Sequence, residues 1–208
     1  MIKNRANNLS EIFPAILLLI FSVFWTFMAF DVLDRYMWFI ENVLMVIFLS
    51  IVVFTYKKFR FSNFSYFLFF LFSILQTIGA HFTYEFVPFD WFSNIFGFER
   101  NHFDRIVHFS YGFLLAIPIR EWYLHYTKMS KNFLSYWIPI EWAFATGAIY
   151  ELVEWGFAEF SEEGDGNAFL GSQGDVWDAH WDMLLAGVGA TIIMILLAIF
   201  LKFIKKEE

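Results

Sequence analysis

The chain has 208 residues, of which 59% are hydrophobic, 24% aromatic and only 17% charged, with a formal net charge of −7 and no cysteine. A charged fraction well below the ~25% of soluble domains excludes an ordinary soluble protein, and the lack of a basic stripe outside short loops excludes a nucleic-acid binder. Without cysteine there are neither disulfides nor thiolate metal sites.

Six apolar runs follow one another at residues 11–30, 37–56, 64–84, 103–123, 134–158 and 180–203. Each matches the roughly 20 residues that carry a helix across a bilayer. They occupy most of the chain, so the expected architecture is all-α: a polytopic membrane protein of six transmembrane helices forming one domain over residues 1–208. Unbroken apolar runs are the wrong pattern for the alternating strands of a barrel.

The first run ends in Met28-Ala29-Phe30-Asp31, which lacks a small-x-small cleavage pattern and reads as a retained helix. The first two runs hold almost no ionisable residues across 13–30 and 42–56, and are expected to be lipid-facing scaffold. The third ends near His81. A connection at 85–102 follows, with Pro88, Trp91, Phe92 and Gly97, and reads as an irregular aromatic lid lying at the membrane interface.

The fourth run opens with Asp104, Arg105 and His108, and the fifth closes with Glu151 and Glu154. A second long connection, 159–178, carries Gly164, Gly166, Gly171 and Gly174, with Gly156 just ahead of them. It reads equally as a tight connector or as a segment presenting backbone groups to a ligand. Asp175 reads as a cap on the sixth run, which opens with Asp178 and Asp182. The first three runs do not repeat the acid pattern of the last three, which weighs against an inverted-repeat transporter.

Orientation follows from the basic residues. Lys3, Arg5, Lys57, Lys58, Arg60, Arg120, Lys128, Lys131, Lys202, Lys205 and Lys206 are eleven of the 14 Lys and Arg residues, and with six spans all fall on one side. The positive-inside rule makes that side, with both termini, cytoplasmic. The acidic residues then face outward.

Charged groups within a bilayer cost roughly 2.5–3.5 kcal/mol each on insertion scales, so a group of them implies a use. Asp104 and His108 are four apart, Glu151 and Glu154 three apart, and Asp178 and Asp182 four apart, so each pair shares a helix face. Gly112, Ala143, Gly147, Ala158, Ala186 and Ala190 continue those faces with small residues that let helix backbones approach. The acids should therefore turn inward and meet. Five carboxylates against Arg105 would leave a net charge of −4, so either protons or cations must accompany them.

Asp104, His108, Glu151, Glu154 and Asp182 are the expected ligands of a divalent metal ion; oxygen donors suit Mg, Ca or Mn, and an imidazole adds Zn. His81 and Asp178 are expected to move protons and Arg105 to pair with an acid or hold an anion. The leading reading is a metal-dependent hydrolase or transferase acting on a lipid-linked or envelope substrate at the outer leaflet. A proton- or cation-coupled transporter, which would need polar residues such as Ser73, Gln76, Glu141 and Thr146 to form a continuous path, is the alternative. A non-catalytic, metal-braced scaffold is the third.

Two stretches carry a family resemblance. Asn101-His102-Phe103-Asp104-Arg105-Ile106-Val107-His108-Phe109 with Gly112 is one. Tyr150-Glu151-Leu152-Val153-Glu154-Trp155 running to Gly174-Asp175-Val176-Trp177-Asp178-Ala179-His180-Trp181-Asp182-Met183 is the other. They resemble the YjdF-type bacterial inner-membrane proteins, a domain of unknown function, from about His81 to Ala190. The Asp-Arg-x-x-His-Phe and Glu-x-x-Glu patterns are more distantly similar to the VanZ-like membrane proteins, some of them linked to glycopeptide tolerance. In that group a Gln often stands at the Glu154 position and an Asn follows the last acid. The resemblance implies a multi-pass protein of the bacterial inner membrane with a polar site at these positions.

Overall fold

The computed structural model describes residues 2–128, 130–160 and 172–207. They form seven helices: α1 (Ile2–Met28), α2 (Arg35–Thr55), α3 (Asn63–His81), α4 (Asp90–Phe96), α5 (Phe103–Thr127), α6 (Leu134–Phe160) and α7 (Asp178–Glu207). Six of these are the expected long helices, extended or trimmed by a few residues, and the described residues contain no strand. The glycine-rich stretch 161–171 lies outside the described residues.

Local chemistry sets the helix starts. Asp34 caps α2, its carboxylate accepting from the backbone N–H of Tyr36 at 2.8 Å and of Met37 at 2.9 Å. Ser62 caps α3 through the Ser65 N–H at 3.1 Å, and Asn101 accepts from Phe103 N–H at 2.9 Å where α5 begins. The lid is not irregular: α4 is a short helix ending at Gly97, whose φ of 69° supplies the left-handed stop. Phe89, Phe92 and Phe96 recur at helical spacing and pack ring against ring, with centroids 4.9 and 4.8 Å apart, which the irregular reading overlooked.

The bundle is inside-out relative to a soluble protein. Phe27 is 75% exposed and Phe54 80%, while Ser65, Ser73, Thr77 and Asp182 are buried. Such an apolar exterior suits lipid. α1, α2, α3 and α7 are each long and apolar enough to cross a membrane. α5 and α6 are as long, at 25 and 27 residues, and carry more charges along their length than the apolar spans of those four.

α5 is the central element, packed against α3, α6 and α7, while α3 connects it to α1 and α2. α5 and α7 meet backbone to backbone. A β-carbon on Gly112 would overlap the Ala186 carbonyl, and one on Gly189 would overlap the Phe109 carbonyl. These are the close approaches that small residues permit in membranes. Cross-links mark the two ends of the bundle. At one, Leu33 N–H donates to His81 O at 3.2 Å, and Arg100 reaches Asp178. At the other, Glu121 accepts from Ser62 N–H at 2.6 Å and from Ser65 Oγ at 2.5 Å, and Arg120 donates to Ser135 at 3.1 Å.

Candidate functional site

The helix ends at Leu33 and His81 belong to the same end as the start of α5, the close of α6 and the start of α7, and there the acidic residues converge in two layers. The outer layer is ion-paired. Asp178 Oδ1 accepts from Arg100 Nη1 at 2.6 Å and from Arg105 Nη2 at 3.2 Å, and Arg105 also bonds Asp175. Arg100 lies 3.6 Å from Asp175 and donates to the Ser172 carbonyl at 3.2 Å. The Arg105 guanidinium stacks over the Trp181 ring at 5.8 Å.

Asp175 behaves as the expected cap. Its carboxylate accepts from Trp177 N–H at 2.9 Å, and that bond, with Arg105 beside it, holds the carboxyl below the usual aspartate range. Burial, reinforced by Arg105 and Arg100, pushes the His102 imidazole down. Asn101 and Gln173 stitch the two loops together, each side of the pair donating once, at 2.9 and 3.0 Å.

The inner layer has no arginine among its hydrogen bonds and ion pairs. Asp104, His108 and Asp182 each offer a ligand atom within 4.8 Å of the others. His108 Nε2 stands 3.6 Å from Asp104 Oδ1 and 3.8 Å from Glu151 Oε1. Asp182 is 2% exposed and Glu151 9%, yet Asp182 Oδ1 and Glu151 Oε1 are buried without a hydrogen-bond partner among the described residues. Buried polar atoms are nearly always satisfied, so two orphaned carboxylate oxygens facing one imidazole call for an explanation.

Of the other expected residues, Glu154 lies within electrostatic reach of Glu151, Asp104 and Glu41. His81 is engaged elsewhere: its Nδ1 is 2.8 Å from the Met28 carbonyl, fastening the end of α1 to α3. Arg105 pairs with acids, one of the two roles expected for it, and Asp178 sits in that pairing rather than beside His108.

Two residues were missed. Arg100, at the end of the aromatic lid, is the second cation of the outer layer. Glu41, 7% exposed on the helix read as scaffold, faces Tyr84 and Tyr150 and lies within reach of Asp104. Its position as the one acid of an otherwise apolar helix was the available signal. Tyr84 comes into place because α3 ends in a left-handed turn, with φ of 53° and 55° at Thr83 and Tyr84, which folds the ring back over Gly79. A cavity of about 150 Å³ adjoins Asp104 and His108, lined also by Gln76, Tyr84, Tyr111 and Tyr150.

These features define a multi-pass helical membrane protein with a buried polar cluster at one end. The chain belongs to the family described as "Predicted membrane protein (DUF2238)", which matches residues 13–203. It is similar to the "Inner membrane protein YjdF" of Escherichia coli (strain K12), with 29% identity over 168 residues, covering 80% of each chain. It is accordingly an integral, multi-pass protein of the bacterial inner membrane. No solved structure matches it.

Proposed function

We propose that Asp104, His108 and Asp182, with Glu151 as a fourth donor, hold a divalent metal ion that acts on a lipid-linked or envelope substrate at the membrane surface. The observation that carries this reading is the pair of buried, unpartnered carboxylate oxygens on Asp182 and Glu151, set around the His108 imidazole. An ion would satisfy both at once and offset the cost of burying them.

The spacing supports coordination. Two ligands about 2.0–2.2 Å from an ion, as for zinc, lie at most ~4.4 Å apart. The 3.6 and 3.8 Å separations at His108 fall within that limit. A calcium ion, with bonds of about 2.3–2.6 Å, spans the 4.8 Å of the full group without movement. One histidine among carboxylates suits zinc or manganese, and the oxygen-rich remainder suits manganese, magnesium or calcium. Such an ion polarises a phosphoryl or carbonyl oxygen, or lowers the pKa of bound water. With an ion bound, Glu154, close to Glu151, would serve as the proton acceptor, and the adjoining cavity would give the reacting group a place to sit.

The cavity geometry favours a one-sided site over a transport path. Below Asp104 and His108 the cavity reaches Tyr111 and Thr146, whose hydroxyls bond each other at 2.5 Å. Ser73 and Thr77 turn their hydroxyls back onto the carbonyls of Phe69 and Ser73, and Glu141 accepts from Trp137 on the exposed face. These residues do not continue a polar route.

The test is elemental analysis of protein purified in mild detergent from cells grown with zinc, manganese, magnesium and calcium. About one divalent ion per chain is expected, falling at least tenfold in His108→Ala and Asp182→Asn. Full metal content in both variants, or none in the wild type, overturns the assignment. Cation or proton flux in liposomes that disappears in the same variants favours transport instead.

A further inference from the structure

At the opposite end of the bundle from the acidic residues, α1 and α2 do not touch through their backbones. Among the described residues, no Cα of α1 comes within 8 Å of a Cα of α2, although both pack on α3. Side chains bridge them towards the acid-bearing end, where Trp25 Nε1 donates to Asn42 Oδ1 at 2.5 Å and the Trp25 and Trp38 rings stand 5.4 Å apart, and at the far end, where the Tyr56 hydroxyl donates to the Glu11 carbonyl at 3.4 Å. Between these bridges a slot opens between the two helices. Two adjoining cavities of about 380 and 270 Å³ share Leu18, Phe21, Leu49 and Val53 as walls, and Lys57 stands at the far mouth.

We infer that this slot holds one acyl chain of an anionic bilayer phospholipid, with its phosphate against Lys57. Three observations select that occupant. The first is length. From Pro14 to Trp25 the α1 wall measures about 16 Å at 1.5 Å per residue. That is about half of a ~30 Å hydrocarbon core, the depth of one leaflet. The second is lining. The residues that both cavities share, Leu18, Phe21, Leu49 and Val53, are all apolar, as an acyl chain requires.

The third is charge. Lys57 lines the mouth and has no carboxylate within 4.0 Å among the described residues. Lys58 is its neighbour in the chain, and both are exposed. Arg60 is already committed to the Ser10 carbonyl at 2.6 Å and to Asn63 at 3.1 Å, so it braces the mouth rather than binding the headgroup. A basic residue at the level of the headgroups attracts anionic lipid by about 1 kcal/mol per charge. Since the walls are mostly aliphatic and aromatic, water gains few partners there.

The experiment is native mass spectrometry of the delipidated full chain in detergent, titrated separately with phosphatidylglycerol and phosphatidylcholine. One phosphatidylglycerol per chain is expected to persist at activation energies that strip phosphatidylcholine. Leu49→Trp, which fills the slot, should cut that adduct at least tenfold. Lys57→Gln, on the surface and harmless to packing, should remove the preference for phosphatidylglycerol while leaving some binding of both lipids. Equal retention of the two lipids by the wild type, or an undiminished adduct in Leu49→Trp, overturns the proposal. So does a dimer that Leu49→Trp dissociates, which would put a second copy of the chain in the slot.

Discussion

Asp182 lies one helical turn beyond Asp178 on the same face of α7, yet only Asp178 is met by arginine. Arg100 and Arg105 both donate to Asp178 Oδ1, whereas Asp182 Oδ1 is buried with no hydrogen-bond partner. One helix thus carries a structural and an unneutralised carboxylate about 6 Å apart along its axis, by the rise of the helix.

This division predicts opposite outcomes for one kind of substitution. Asp178→Asn leaves two buried guanidinium groups short of charge and should cost about 3 kcal/mol, at the low end for a broken buried pair. Its metal content should stay close to wild type. Asp182→Asn removes an uncompensated charge, so the metal-free protein should melt at or above the wild-type temperature while binding no metal. Thermal unfolding in detergent, paired with elemental analysis, reads both. Equal loss of metal in the two variants would erase the distinction between the layers.

The seam between α5 and α7 makes a second prediction. Gly112→Ala drives a methyl group into the Ala186 carbonyl, and backbone cannot yield as a side chain can. Overpacking of this kind costs about 1–3 kcal/mol. Gly156→Ala, near the end of α6, meets no atom within 4 Å and should be neutral or gain up to about 1 kcal/mol of helix propensity. Comparable melting temperatures for the two variants would contradict the packing described.

Acid sensitivity should appear at Asp175. Its folded carboxyl titrates below the ordinary value of 3.8, so the unfolded chain binds the proton first as pH falls. The stabilisation it provides is therefore complete at neutral pH and is lost below 3.8. Asp175→Asn should melt below the wild type at pH 7, and the gap between them should close as the pH is brought well under 3.8. A gap that stays constant across that range would show that Asp175 contributes nothing through its charge.

Six alternating spans with the basic loops inside would put both termini in the cytoplasm. A fluorescent-protein fusion at the C-terminus should fluoresce, and a secreted phosphatase fused there should be inactive, with the reverse pattern for fusions after Glu85. Activity of the phosphatase at the C-terminus would mean that α5 and α6, which carry the acids, do not both cross the membrane.

The long helices and the convergence of Asp104, His108 and Asp182 could be read from the chain because both rest on periodicity. Apolar runs of bilayer length set the helices, and small residues at helical spacing beside the acids set which faces meet. Arg100 could not be read this way, since its place depends on a loop that folds back seventy-eight residues from Asp178. Glu41 escaped because a single acid in an apolar helix has no partner along its own face; its neighbours Tyr84 and Tyr150 come from the turn after α3 and from α6. His81 had the residue type and depth of a site group, but its side chain found the exposed carbonyl at the end of α1 first.

The glycine contacts at Gly112 and Gly189 also decide how the cluster adapts. With α5 and α7 locked together, Asp104, His108 and Asp182 form a fixed jaw whose opening is set by the fold. Glu151 rides on α6, where Gly147 leaves ordinary van der Waals clearance of 3.7 Å to Ala186 and Met183. Any change in the spacing of the cluster is therefore expected at α6, which carries Glu151, rather than at the α5–α7 seam.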